Sequence, residues 1–169
     1  MEIVDLGPLT DEQRAELEGD EPDPFDVAGV TLRFRRKDRH VGLRDGDGRL
    51  VASTGLVVAE VDVGDDRVGV VGLGGVIVNA GYRGRGLARR VVETAVERAQ
   101  SIGPAYAILF CHADRAGLYE RLGFVELAPP VLVEQPDGFA VIDQRTMWRA
   151  LRPGAEWPAG SVRVHGLPF

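Results

Sequence analysis

The run Val76-Ile77-Val78-Asn79-Ala80-Gly81-Tyr82-Arg83-Gly84-Arg85-Gly86-Leu87-Ala88 decides the fold. A valine-rich strand ends, a glycine-rich turn follows, and an amphipathic helix begins. The first N–H groups of a helix lack intrahelical partners and point outward at the positive end of the dipole. Glycines at 84 and 86 let that backbone approach a ligand without side-chain obstruction. Such a junction suits a phosphate or pyrophosphate. Arg83 and Arg85 add positive charge beside it. A P-loop needs Gly-Lys-Ser/Thr, which is absent, and a dinucleotide fingerprint needs a third glycine where this chain has Arg89. Taken alone, Arg-Gly-Arg-Gly also describes an ordinary tight turn with exposed arginines.

Downstream, Ala88, Val92, Ala95, Ala99 and Ile102 recur at helical spacing, with Arg85, Arg89, Arg90, Glu93, Glu97 and Arg98 on the remaining surface. Gly103-Pro104 ends that helix. Ala105 to Cys111 reads as a buried strand, and Asp114 to Leu122 as a short helix stopped by Gly123. A strand-helix-strand unit of this length implies parallel pairing through a right-handed crossover. Upstream lies a strand meander: His40 to Leu43, the turn Asp45-Gly46-Asp47-Gly48, Leu50 to Val63, the turn Gly64-Asp65-Asp66, and the glycine-rich run Arg67 to Val78. Before it come a short strand at Glu2 to Leu6, a helix starting at Thr10 with Gln13 as its capping-box partner, and the helix-breaking loop Asp20-Glu21-Pro22-Asp23-Pro24. That loop reads as a solvated connector or a substrate lid. After Phe124, strands flank a Pro136-Asp137-Gly138 turn, and a Pro/Gly-rich tail begins at Pro153. The fold class is therefore mixed α/β, with an antiparallel meander first and a parallel strand-helix-strand unit second. One domain is expected over residues 1–169, its core at about 40–127, with C-terminal strands and the tail over 128–169.

The 169 residues, 44% of them hydrophobic, suffice for one self-sufficient core. A single cysteine, Cys111, excludes an intrachain disulfide and a multi-cysteine zinc site, and no metal is expected. The net charge of −6 disfavours nucleic acid and favours cationic partners such as amines. No apolar run approaches the roughly 20 residues of a membrane helix, and no signal-peptide pattern opens the chain, so a cytoplasmic location is expected.

Residues 78–88 resemble the acyl-CoA signature of the GNAT superfamily of N-acetyltransferases. Arg83, Gly86 and Ala88 occupy its three defining positions, and Tyr82 and Gly84 match frequent choices. Leu118-Tyr119-Glu120-Arg121-Leu122-Gly123-Phe124 is similar to the second signature of that superfamily, at the right separation and on the right elements. The stretch Ile108-Leu109-Phe110-Cys111 ahead of it resembles the aminoglycoside 2′-acetyltransferase and nodulation acyltransferase branch. The resemblance implies a bent mixed sheet with helices on both faces, and acetyl-CoA as cosubstrate, lying where that sheet splays between the strand ending at Val78 and the strand at 105–111. Ile77 and Val78 would pair with the pantetheine arm, and Arg83, Gly84, Arg85, Gly86, Leu87 and Ala88 would hold the pyrophosphate. Tyr119 takes the position of the family's general acid. Gly74 stands where some members carry a glutamate base, and His112 and Arg115 stand where many have asparagine and alanine. Glu60 is the substitute candidate base: it and Asp62 share one strand face, which fronts either substrate or solvent. A small-molecule amine acceptor and a homodimer complete the expected partners, with neither nucleic acid nor membrane among them. The alternative is a non-catalytic acyl-CoA-binding or regulatory module.

Overall fold

A computed structural model describes residues 1–169. In chain order the elements are β1 (Glu2–Leu6), α1 (Asp11–Glu18), β2 (Arg39–Arg44), β3 (Leu50–Val63), β4 (Asp66–Val78), α2 (Leu87–Gln100), β5 (Tyr106–Cys111), α3 (Ala116–Glu120), β6 (Val125–Glu126), β7 (Val131–Gln135), β8 (Gly138–Val141), β9 (Arg145–Ala150) and β10 (Val162–Val164). The capping box at α1 forms as expected: Gln13 N–H donates to the Thr10 hydroxyl, and Thr10 N–H donates to the Gln13 side chain.

The ten strands make one mixed sheet in the order β6-β9-β5-β4-β3-β10-β7-β8, with β1 and β2 also leading into β3. The long β3 serves two neighbours, since its first half pairs with β2 and its last residues pair with β10. β4 is antiparallel to β3 and parallel to β5. Adjacent residues of β3 face opposite sides: Val51 belongs to the core under α2, and Leu50 joins Leu17 of α1 on the other side. Helices therefore cover both faces. The apolar stripe of α2 runs through Leu87, Val91, Val92, Ala95 and Ala99, one residue earlier at its start than the expected Ala88.

Two features of β4 shape the site. First, Gly74 pairs with Gly55 and Ile77 with Ser53, so Gly75 and Val76 together oppose Thr54 alone. This is a β-bulge with Gly75 in the left-handed region at φ 63°, a conformation that favours glycine. The Thr54 hydroxyl donates to the Gly74 carbonyl at 3.2 Å beside the irregularity. The extra residue reverses the alternation: Leu73 lies in the α2 core, whereas Ile77 lies against α1. Second, β4 and β5 pair only from Val70↔Tyr106 to Leu73↔Leu109. Beyond Leu73 the two strands part, and β5 continues alone with β9.

The segment read as a Pro/Gly-rich tail is part of the sheet. Val162–Val164 pairs antiparallel to β3 and parallel to β7, and Phe169 is buried. The three-residue strand is too short for its alternation to stand out, and only its long-range partners define it.

Candidate active site

The opening between β4 and β5 leads into a cavity of about 960 Å³, near the upper end for small-molecule sites. The cavity runs from the turn at 83–88, past the unpaired stretch of β4, to a wall built by residues 24–37 and Phe169.

At one end lies the strand-turn-helix junction. Asn79 fixes it, accepting from Gly81 N–H at 3.1 Å and donating to the Glu16 carbonyl of α1 at 2.8 Å. Tyr82 donates to Asp45 in the first hairpin turn at 2.5 Å. Gly84 and Gly86 sit at φ 76° and 74°, and nothing lies within 4 Å of the Cβ either would carry. Gly86 caps α2 without any side-chain hydrogen bond, and the first turn holds no acidic residue. The leading amides of α2 therefore face open space at the positive end of the helix, as a pyrophosphate cradle requires.

The expected cofactor-binding residues divide on inspection. Ile77, Val78, Arg83, Gly84, Gly86, Leu87 and Ala88 all line the cavity, while Arg85 does not. Arg85 lies over the Tyr82 ring at 5.0 Å and donates to the Gly81 carbonyl. The Ile77 and Leu87 side chains are buried, so either residue can meet a ligand chiefly through its backbone. Arg83 is already engaged. Its Nε donates to the Val78 carbonyl at 3.1 Å, and its guanidinium grips Glu21 at 2.9 and 2.5 Å. That pair holds the Glu21 carboxyl below its ordinary range and ties the acidic loop at 20–24 to the turn at Arg83. The Val78 carbonyl, expected to face pantetheine, is thus taken by Arg83.

Tyr119 lines the middle of the cavity on α3, its ring edge-on to Phe124 at 6.0 Å. It is 7% exposed, and its hydroxyl makes no hydrogen bond within the protein. Burial pushes the phenol well above its ordinary value, so it stays protonated. Nearby Cys111 is 5% exposed, and desolvation raises its thiol to about 11. A thiol so raised is a poor nucleophile near neutral pH. His112 also lines the cavity, and its buried Nε2 has no hydrogen-bond partner. Arg115 lines the cavity too and is exposed, paired with Asp114 at 3.2 Å.

Glu60 is not brought to this site. It pairs with Gly69, five residues along β4 from Gly74, is largely exposed, and meets Arg67 at 3.7 Å. Its neighbour Asp62 meets Arg67 at 3.0 Å and His165 at 2.7 Å. Alternation along β3 places both carboxylates on one face but does not reveal that this end of the strand lies outside the splay. The base role expected of Glu60 is therefore withdrawn.

The wall opposite the cradle holds what the sequence did not announce. Gly74 has no room for a side chain: a Cβ there would stand 2.5 Å from the Phe169 backbone carbon and 3.1 Å from Lys37 Cε. A Cβ on Gly72 would strike the Phe169 ring at 2.4 Å, and one on Gly55 would strike Lys37 Cγ at 2.4 Å. Glycines on two adjacent strands thus form a trench that receives Phe169 and the stem of Lys37. The glycine richness of β4 was the visible signal, but what fills the trench comes from distant parts of the chain.

No group of three or more His, Cys, Asp or Glu side chains is placed to hold a metal ion, and no helix is long and apolar enough to cross a membrane. The sequence model described as "Acetyltransferase (GNAT) domain" matches residues 19–126. Glucosamine 6-phosphate N-acetyltransferase 1 of Oryza sativa subsp. japonica is 40% identical over 80 residues, which is 47% of this chain and 47% of that protein. The chain thus matches about half the length of that relative. Among solved structures, the GNAT family N-acetyltransferase YhbS from Escherichia coli, in complex with CoA, aligns with a TM-score of 0.61 at 21% identity, covering 99% of this chain and 96% of its own. N-acetylglutamate synthase from Neisseria gonorrhoeae, complexed with coenzyme A and N-acetyl-glutamate, aligns with a TM-score of 0.61 at 13% identity over 90% of this chain and 36% of its own. At these identities the structural matches speak for the fold.

Proposed function

The chain belongs to the GNAT acetyltransferase family, and on that premise we propose that it is an acetyl-CoA-dependent N-acetyltransferase in which an amine attacks the thioester directly. The observation that carries this reading is the continuous cavity joining an unobstructed helix N-terminus, an unpaired stretch of strand and a protonated tyrosine. Acetyl-CoA supplies the activated acetyl group; the thioester C–S bond breaks and CoA leaves as the thiol.

This chain's own residues then have three tasks. The amides at the start of α2, reached between Gly84 and Gly86, hold the pyrophosphate. The stretch 74–78, released from β5 and turned by the bulge, offers an extended arm those β5-side backbone groups that the bonds of Arg83 to Val78 and of Thr54 to Gly74 leave free, as in strand addition. Its N–H groups also face the negative charge that develops on the carbonyl oxygen. Tyr119 donates its proton to the departing sulfur. A covalent acetyl-cysteine route through Cys111 is opposed by its burial and its raised thiol.

The base is the open part of the chemistry, because Gly74 offers no carboxylate and packing leaves no space for one. An amine that arrives neutral needs no base before attack, and the proton its nitrogen then sheds to water balances the one that restores the Tyr119 phenol. The acceptor class is a small-molecule amine; the curated relative, named for acetylation of an aminosugar phosphate, supports that choice.

Two measurements test the proposal. Acetyl-CoA should raise the melting temperature by binding the native state only. A panel of amines should then include some that release CoA thiol in an amine-dependent reaction. Binding without turnover on any amine would favour the non-catalytic acyl-CoA module, and no binding would remove both readings.

A further inference from the structure

Lys37 is a cation without a counterion on the wall opposite the cradle. Its stem lies along the trench made by Gly55 and Gly74, and its Nζ reaches to 3.6 Å from the position of a Gly75 Cβ, where β4 leaves β5. It is half-buried and forms no ion pair. The charges acting on it are Arg14 from α1 and Arg35 from its own segment, both positive. His40 of β2 stands near the same group, its Nδ1 donating to the Gly7 carbonyl at 2.9 Å, and burial together with Lys37 and Arg14 favours its neutral form.

Three acids line the cavity, and of these Asp26 is exposed and is not among the charges acting on Lys37. Glu21 is held by Arg83, and Asp23 accepts from the Val27 and Ala28 amides. Asp38, next in sequence, is 72% exposed and meets Arg35 at 3.6 Å. A desolvated ammonium under the positive charge of Arg14 and Arg35 is unfavourable unless a ligand brings negative charge. In a protein of net charge −6, this cluster is a local reversal of sign inside the cavity.

Resting on the N-acetyltransferase reading, we propose that the acceptor amine carries a carboxylate or phosphate, and that Lys37, backed by Arg14 and Arg35, receives it. The lysine occupies the space beside Gly74 from which a glutamate would otherwise project. The site thus exchanges a negative group that attracts ammonium ions for a positive one that orients the far side of an anionic substrate. The same positive field lowers the pKa of an incoming ammonium and favours the neutral nucleophile.

The test uses matched pairs of amines that differ in the anion: glucosamine 6-phosphate against glucosamine, and glycine against glycinamide. The wild type should favour the anionic member of at least one pair in kcat/KM, and the accepted pair identifies phosphate or carboxylate as the anion. Lys37→Met should lower that preference by about 10–100-fold, the range of a charge-assisted hydrogen bond, chiefly through KM. Lys37→Arg should restore part of it. Neutral members preferred throughout, or the same loss in both members of a pair, would overturn the proposal; the latter result would make Lys37 a base or a structural residue. A binding arm does not depend on turnover. With the cradle filled by CoA, orthophosphate should raise the melting temperature of the wild type and not that of Lys37→Met, and an equal rise in both sinks the idea. Failure of the acetyltransferase reading itself looks different, since acetyl-CoA would then give no thermal shift.

Discussion

At the scale of single residues, Tyr119 and Lys37 show what a sequence does and does not reveal. Tyr119 was legible because it sits inside a dense local pattern, Leu118-Tyr119-Glu120-Arg121-Leu122-Gly123-Phe124, on an element whose position relative to the first signature is fixed by one helix and one strand. Its hydroxyl has no protein partner, so Tyr119→Phe keeps the packing against Phe124 and removes only the transferable proton. A phenol raised above its ordinary 10.0 is a weaker acid than a thiol of about 8.5, so full transfer to the sulfur is uphill. The expected loss in kcat is therefore near the low end of general acid catalysis, about 10²-fold, with acetyl-CoA affinity little changed. Because burial raises the pKa, the tyrosine loses its proton only above its ordinary range. The kcat–pH profile should accordingly show no fall attributable to Tyr119 below about pH 10. Unchanged turnover in Tyr119→Phe, with chemistry rate-limiting, would return the residue to a packing role. Lys37, by contrast, lies in a segment without periodicity or motif. Its setting depends on Gly55 and Gly74, which are distant in sequence and read locally only as weak points in strands.

At the scale of elements, the junction between β4 and α2 was legible because its signals are local: a valine run, glycines at the turn, then helical spacing. The roles of its arginines were not legible there, because the way Arg83 turns is set by Glu21, 62 residues away in the chain. Arg83 is spent on Glu21 and the Val78 carbonyl, and Arg85 lies over Tyr82, so the cradle is mainly backbone. Gly86→Val tests that division. The valine would sit at φ 74°, where an L-residue is disfavoured by about 1–2 kcal/mol, yet nothing within 4 Å opposes its Cβ. The fold should survive with a modestly lower melting temperature, while acetyl-CoA affinity falls steeply because a branched side chain now occupies the approach to the α2 amides. Arg85→Ala should do much less, since it removes an exposed charge and leaves the amides in place. Calorimetric titration with acetyl-CoA, checked by circular dichroism, decides the matter. Binding abolished by Arg85→Ala and untouched by Gly86→Val would mean that side chains, not backbone, hold the phosphates.

At the scale of the whole molecule, the C-terminal segment determines whether residues 1–169 behave as one cooperative unit. The antiparallel meander and the parallel unit could be read from turns and periodicity, but the closure of the sheet could not, because β10 pairs with β3 across about a hundred residues and with β7 across about thirty. Strand pairing of that kind leaves no local trace in three residues. Its contribution is nonetheless large. Val162, Val164 and Phe169 are all buried, and full burial of such side chains is worth about 1.5–3 kcal/mol each. Their sum, roughly 5–9 kcal/mol, compares with the total stability of a typical domain, about 5–15 kcal/mol. Deleting residues 153–169 would also strip one edge from Val61, Val63, Val131 and Val133, and empty the trench over Gly72. The truncated chain should therefore fail to unfold cooperatively in urea and should give no thermal shift with acetyl-CoA, although every residue of the cradle and Tyr119 remains. Phe169→Ala offers the graded version. The loss of one buried aromatic costs about 3–5 kcal/mol, so it should lower the urea midpoint sharply while keeping a single transition. A truncated chain with the parent's midpoint and acetyl-CoA affinity would instead make the segment an appendage, and the single-domain reading would fail with it.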